Sequence, residues 1–161
     1  MSDTPSVLYA KETITVFSPE MIPRLKSMAT SVPLKRARLC LHLSKDDLVQ
    51  EMVIVLHRDT YVRPHRHPDK SESFHMIEGA VLIVFFDESG GEKQRVTLSA
   101  DGKNPFLYRM SAPYWHAVLP LTEFAVFQEV TTGPFSPSEY PSWEPHGEEE
   151  IRLFKERLLT R

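Results

Sequence analysis

The sequence predicts an all-β domain, a sandwich or closed barrel, with one helix near each end of the chain. Two observations carry this. Between Arg36 and Val130 the chain divides into short runs of strand-forming residues, separated by turn signals at Asp87-Glu88-Ser89-Gly90-Gly91, Asp101-Gly102 and Leu119-Pro120. Helical spacing of apolar residues occurs on either side of that region, from Met21 to Ala29 and from Ile151 to Leu158. Many short strands in succession argue against a repeating βα architecture.

Taken in order, Glu12 to Phe17 alternates as a short strand. Ser18 is placed to cap a helix with Pro19 at its first position. Met21, Ile22, Leu25, Met28 and Ala29 give that helix one apolar face, and it ends before Pro33. Arg36 to His42 alternates cleanly, with Ala37, Leu39 and Leu41 on one face and Arg36, Arg38, Cys40 and His42 on the other. Gln50 to His57 reads as an apolar strand. From Glu72 to Ile77, alternation puts Phe74 and Met76 on the Glu72 face and sends Ser73 and His75 to the other. Ala80 to Phe86 is apolar on both faces, so its outer side needs cover from a helix or from a second subunit, and a homodimer is expected. Glu92 to Ser99, Phe106 to Met110, Trp115 to Leu119 and Glu123 to Val130 complete the strands. A proline-rich tail follows Gly133-Pro134, with Phe135, Tyr140 and Trp143 as apolar anchors. The last helix opens at Glu148-Glu149-Glu150, whose charges oppose the positive end of its dipole, and Ile151, Phe154 and Leu158 form its stripe. The 161 residues suit one domain: strand and helix in 1–34, barrel core in 35–135, tail and helix in 136–161.

Composition narrows the function. A formal net charge of -3, with Lys and Arg spread along the chain, points away from nucleic acid. Cys40 is the one cysteine, so no intrachain disulfide forms, which fits a reducing compartment. Met1-Ser2-Asp3-Thr4-Pro5 lacks the basic start and apolar run of a signal peptide, and Ala80 to Phe86 is too short to span a bilayer. A cytoplasmic protein without membrane partners is expected. With six glycines in all, the chain has no phosphate-cradling loop and no Gly-x-Ser-x-Gly elbow.

The chemistry concentrates in Pro64-His65-Arg66-His67-Pro68-Asp69-Lys70-Ser71-Glu72. Residues two apart on a strand face the same way, so His65 and His67 aim at one point. A turn through Pro68 to Ser71 brings Glu72 back to it. Two imidazoles and a carboxylate suit a divalent transition metal, Fe, Mn, Zn, Ni or Co, and not Ca or Mg. Gly79 allows a second sharp reversal.

His-x-His, four residues, Glu, six residues, Gly, from His65 to Gly79, resembles the first signature motif of the cupin superfamily, with Asp59 where that motif opens with glycine. The resemblance implies a double-stranded β-helix, a jelly-roll barrel holding one metal ion in its lumen. It also implies a fourth ligand from a second motif, for which the candidate is His116 in Pro113-Tyr114-Trp115-His116. Ser111, Pro113 and Pro120 replace that motif's Pro, Gly and Asn; His146 in the tail is the competing histidine. Arg36-Ala37-Arg38 through His42, Tyr61 to Glu72, Trp115-His116, Glu129 to Phe135 and Trp143-Glu144-Pro145 are similar to WbuC-type cupin metalloproteins, which are associated with O-antigen and surface-polysaccharide synthesis.

The expected metal ligands are therefore His65, His67, Glu72 and His116. Arg36, Arg38, His42 and Lys70 are expected to bind an anionic small molecule such as a carboxylate, sugar phosphate or nucleotide sugar, since guanidinium groups grip such oxygens in pairs. Three functions stay open: a metal-assisted isomerase, epimerase or lyase in which Glu129, Tyr61 or His42 moves a proton; an iron-dependent oxygenase; and a non-catalytic metal and ligand binder.

Overall fold

The computed structural model describes residues 4–160 and builds nine strands and two helices from them. Met1, Ser2 and Asp3, on which part of the N-terminal reading rests, lie outside the described residues. Two sheets face each other. The larger has the order β1 (Val7–Tyr9), β2 (Arg36–Cys40), β3 (Val49–His57), β9 (Phe124–Thr132), β4 (Glu72–Glu78) and β7 (Leu107–Met110). The smaller has the order β6 (Glu92–Ser99), β5 (Ala80–Phe86) and β8 (Trp115–Pro120). All the pairings are antiparallel except the short β1–β2 contact. This is the jelly-roll arrangement expected from the strand pattern.

The alternation of the sequence becomes three apolar layers. Between the sheets lie Leu56, Phe74, Met76, Val81, Ile83, Phe85, Leu98, Met110, Val118, Ala125 and Phe127. On the outer face of the large sheet, Ala37, Leu39, Val53, Val55 and Val126 meet Leu25 and Ala29 of α1 (Met21–Ser31). On the outer face of the small sheet, Leu82, Val84 and Phe86 meet Trp115, Ala117 and Leu119, under Leu158 and Phe154 of α2 (Gly147–Leu159) and Trp143 of the tail. Both faces of β5 are thus covered within one chain. The expectation of a homodimer loses its ground, because the apolar surface that called for a second subunit is already buried.

Two local expectations differ from the structure. Glu12 to Phe17 forms no strand; the N-terminal strand is β1, paired with β2 through Val7↔Arg38. Ser18 does not cap α1, which starts at Met21 behind Glu20 without a side-chain cap. Instead the Ser18 and Pro19 carbonyls accept from the amides of Met21 and Ile22, a tight turn that enters the helix late. The reversal after the two histidines does form, with Asp69 at φ 58, a conformation aspartate tolerates. Gly79 sits at φ 73, and a Cβ there would collide with the Phe124 carbonyl. Among the described residues no helix is long and apolar enough to cross a membrane.

If α2 is the cover of β5, removing its fully buried anchor should be costly. Leu158→Ala is expected to lower unfolding free energy by about 2–5 kcal/mol in urea titrations. A loss below about 1 kcal/mol would show that the helix does not hold that face.

Candidate metal centre

Three segments distant in sequence carry the cluster. His65 joins the first residues of β8 through a two-way bridge, its amide donating to the His116 carbonyl at 3.0 Å and its carbonyl accepting in return from the His116 amide at 2.9 Å. His67 follows on the same side, and the turn at Asp69 delivers Glu72 as the first residue of β4. Ser71 fixes that delivery, its carbonyl accepting from the Thr132 amide and the Thr131 hydroxyl. One donor atom from each of His65, His67, Glu72 and His116 then lies within 4.8 Å of the others. Nitrogen and oxygen donors of these types are the ones that hold a divalent ion at about 2.0–2.2 Å.

The surroundings suit a cation. The Nδ1 atoms of His65 and His116 face the carbonyls of Arg63 and Tyr114, at 2.8 and 3.0 Å. Each must therefore carry its proton on Nδ1, leaving the Nε2 lone pair free. His67 Nδ1 lies 3.2 Å from the Ser138 hydroxyl. Burial, with His116 and His67 beside it, pushes the His65 imidazole down to about 3, so it stays neutral. His116 Nε2 is buried with no hydrogen-bond partner. An orphaned buried nitrogen aimed at a carboxylate and two other imidazoles is costly in a protein but suited to a metal. Glu72 is 2% exposed, and the Tyr108 hydroxyl donates to its Oε1 at 2.5 Å, while Oε2 lies 3.2 Å from His67 Nε2. Burial alone would raise the Glu72 carboxyl, but His116, His67 and Tyr108 together hold it below the usual carboxylate range. The ligands would thus be three imidazoles and one carboxylate, a set that fits the divalent transition metals.

The cluster opens into a cavity of about 370 Å³. Arg36 and Arg38 line it with Glu129, Arg63, Ser138 and Tyr140, and Ile54, Leu56, Val62, Phe74, Val118 and Phe127 supply an apolar wall. Strand register explains the placing. On the inner face of the large sheet, Arg38 stands opposite Ile54, and Ile54 opposite Phe127; one row along, Met52 stands opposite Glu129, and Glu129 opposite Phe74. Glu72, opposite Thr131, begins the next row. Glu129 therefore stands between Glu72 and Arg38.

Other expected residues lie elsewhere. The alternation of β2 stops at Cys40, so His42 turns aside, its Nδ1 against the Glu51 backbone at about 3 Å. Lys70 donates to the Pro134 carbonyl at 2.8 Å, beside Phe135. Neither lines the cavity. Tyr61 does not line it either; its buried hydroxyl lacks a partner, and burial and Glu144 push it up to about 12. His146 precedes α2 without a side-chain cap bond, its amide donating to the Glu150 carboxylate, and His75 is exposed against Phe106. Arg63, Tyr108, Ser138 and Tyr140 were not anticipated. Strand alternation puts Tyr108 on the Met110 side and could have found it; Ser138 and Tyr140 lie in a tail without periodicity.

No hydrogen bond or ion pair holds the Arg36, Arg38 or Glu129 side chains among the described residues. Arg63, in contrast, is engaged by Glu144 through both carboxylate oxygens and stacks 3.6 Å over Tyr140. Burial, and then Glu72, push the Glu129 carboxyl up to about 8 from its ordinary 4.5, against the pull of Arg38. Between those two values the folded chain binds more protons than the unfolded one, so stability falls as pH rises through that window. In metal-free protein, Glu129→Gln removes this fall. The variant is expected to gain stability relative to wild type as pH rises from about 5 to about 8 in urea titrations; parallel curves would show that the carboxyl is not held protonated.

A family profile described as "Domain of unknown function (DUF6016)" matches residues 17–98. No curated protein matches the chain. Among solved structures, the chain is similar to an oxalate oxidase in complex with the substrate analogue glycolate, at 15% identity and TM-score 0.54, over 69% of this chain and 57% of that one. It is also similar to CapF with the inhibitor 3-isopropenyl-tropolone, at 16% identity and TM-score 0.54, over 68% of this chain and 32% of that one. The chain spans little more than half of the first and about a third of the second. These likenesses show a jelly-roll barrel fold. Because the profile covers half of its length, the chain belongs to the DUF6016 family, and it folds as a jelly-roll barrel with a His/Glu cluster fit to bind metal.

Proposed function

We propose that His65, His67, Glu72 and His116 hold one divalent transition metal ion, Fe, Mn, Zn, Ni or Co, and that the protein transfers protons on a small anionic, sugar-derived molecule. The reaction class is isomerase, epimerase or lyase, in surface-polysaccharide (O-antigen) metabolism, and the work is done on soluble precursors in the cytoplasm. The observation that carries this reading is the position of Glu129, a carboxyl without a hydrogen-bond partner, between the metal cluster and the unpaired Arg36 and Arg38. The similarity to WbuC-type cupins supports the pathway, and the buried, unpaired Cys40 fits a reducing compartment.

When bound, the ion supplies a Lewis acid for a substrate oxygen. Arg36 and Arg38 hold the anionic end of the substrate and set its orientation. Glu129, which keeps its proton near neutrality, gives that proton to the substrate and takes one back. Ile54, Leu56, Val62 and Phe127 keep water from the exchange. At about 370 Å³ the cavity is near the small end of ligand pockets, which run from about 300 to 1,000 Å³. A carboxylate or sugar phosphate fits inside, whereas a nucleotide sugar would extend through the mouth.

Metal analysis of purified protein is expected to give one ion per chain, and the double variant His65→Ala, His67→Ala close to none; equal content in both would sink the metal assignment. Protein loaded separately with Fe(II), Mn(II), Zn(II) or Ni(II) is then incubated with sugar phosphates and nucleotide sugars, with and without oxygen. Product formed without oxygen and reduced about 100-fold or more by Glu129→Gln supports proton transfer. Turnover confined to iron and oxygen would make it an oxygenase, and binding without product under every loading would make it a binding protein. Arg38→Ala is expected to weaken binding of the active sugar phosphate about tenfold or more; a change within twofold would leave Arg38 a surface charge.

A further inference from the structure

We propose that Ser138, carried by the proline-rich segment after the barrel, is a positioning residue of the metal centre whose hydroxyl sets the tautomer of His67. This rests on the metal assignment above. It differs from that assignment in naming a residue outside the barrel on which the centre depends.

The three histidines are not held alike. His65 and His116 each have Nδ1 against a backbone carbonyl two residues earlier in the same segment, Arg63 and Tyr114. A carbonyl only accepts, so those two rings are fixed with Nε2 unprotonated. The Nδ1 partner of His67 is a side-chain hydroxyl 71 positions away, at 3.2 Å. A hydroxyl both donates and accepts. Without metal, Ser138 can donate to Nδ1 while Nε2–H donates to Glu72 Oε2, 3.2 Å away. When metal takes the Nε2 lone pair, the proton belongs on Nδ1 and the same hydroxyl accepts it. His67 thus keeps a hydrogen bond at Nδ1 in either form, which a carbonyl would not permit.

The segment is fastened at this point. The Arg66 amide donates to the Glu139 carbonyl at 3.1 Å and the Glu139 amide donates to the Arg66 carbonyl at 3.0 Å. The Arg66 guanidinium also donates to the Glu139 carboxylate at 2.7 Å, and lies 4.1 Å over the Trp115 ring. Farther along, Glu144 pairs with Arg63. Arg66, next to His67, is therefore tied to Glu139, next to Ser138, and Arg63 to Glu144 beyond it, which holds the hydroxyl in register with the His67 ring.

The test measures metal affinity by chelator competition with Zn(II), the melting temperature of metal-free protein, and proton NMR of the Zn-loaded form, in wild type, Ser138→Ala and Ser138→Thr. Ser138→Ala is expected to weaken Zn binding about 10- to 100-fold, the range found when the outer partner of a ligand is lost. Its metal-free melting temperature should stay close to wild type, and the His67 Nδ1–H proton, slow to exchange in wild type, should exchange fast. Ser138→Thr should restore both affinity and slow exchange. Zn affinity in Ser138→Ala within about threefold of wild type would overturn the proposal while leaving the metal assignment intact. So would loss of affinity that Ser138→Thr fails to restore, since that marks a packing role. Wild type that binds no metal would overturn both.

Discussion

A carboxylate almost wholly removed from water is the constraint around which this barrel is arranged. Glu72 is 2% exposed, and an isolated ionised carboxylate in such a place would cost several kcal/mol. Its partners have to come from elsewhere in the chain: Tyr108 from β7, His67 from the preceding turn, and His116 from β8 in the opposite sheet. Satisfying one buried group therefore ties the two sheets together at this end of the lumen. The same charge acts on its neighbours. It helps to keep the Glu129 carboxyl protonated one row away and drives the Tyr108 hydroxyl to remain a donor. The metal-binding geometry and the raised proton affinity of Glu129 thus share an origin.

The outer faces obey a simpler rule. Both sheets expose an apolar side that water disfavours, and each is covered by one helix, α1 on the large sheet and α2 on the small. The tail between β9 and α2 has to cross the barrel mouth to reach the small sheet. That path brings Ser138 and Tyr140 to the cavity and Glu144 to Arg63. The crossing that packs Trp143 beneath α2 also completes the wall of the lumen.

What could be read from the sequence is what local spacing controls. His65, His67 and Glu72 lie within one turn and its flanks, so period-two alternation and a turn signal suffice to make them converge. Alternation likewise put Arg36 and Arg38 together on one face of β2, and the resemblance pointed that face to the lumen. It misled at His42, because the period holds only while the strand continues and β2 ends at Cys40. Lys70 misled for a related reason, since proximity to Glu72 along the chain says nothing about which way a turn residue points. His116 could be anticipated only through family resemblance, because its meeting with His65 depends on a non-local bridge between segments. Ser138 had no signal at all: a serine among prolines carries no periodicity, and its partner is fixed by a path across the fold.

The charges facing the lumen decide what it can hold. Glu72 contributes a negative charge, and Glu129, kept protonated up to about pH 8, contributes none near neutrality. Arg63 is neutralised by Glu144, whereas Arg36 and Arg38 have no countercharge of their own. Burial already bears on Arg36, lowering its hold on a proton, with Arg38 acting in the same sense. A divalent ion added to the cluster raises the positive surplus further. A lumen with apolar walls screens such a surplus poorly, so a neutral sugar would leave the arginines uncompensated, while a carboxylate or phosphate relieves them. Were Glu129 already ionised, it would offer the arginines an internal countercharge and compete with that ligand. In the metal-free lumen, the proton that Glu129 retains near neutrality is therefore what keeps the arginine pair available to an incoming anion.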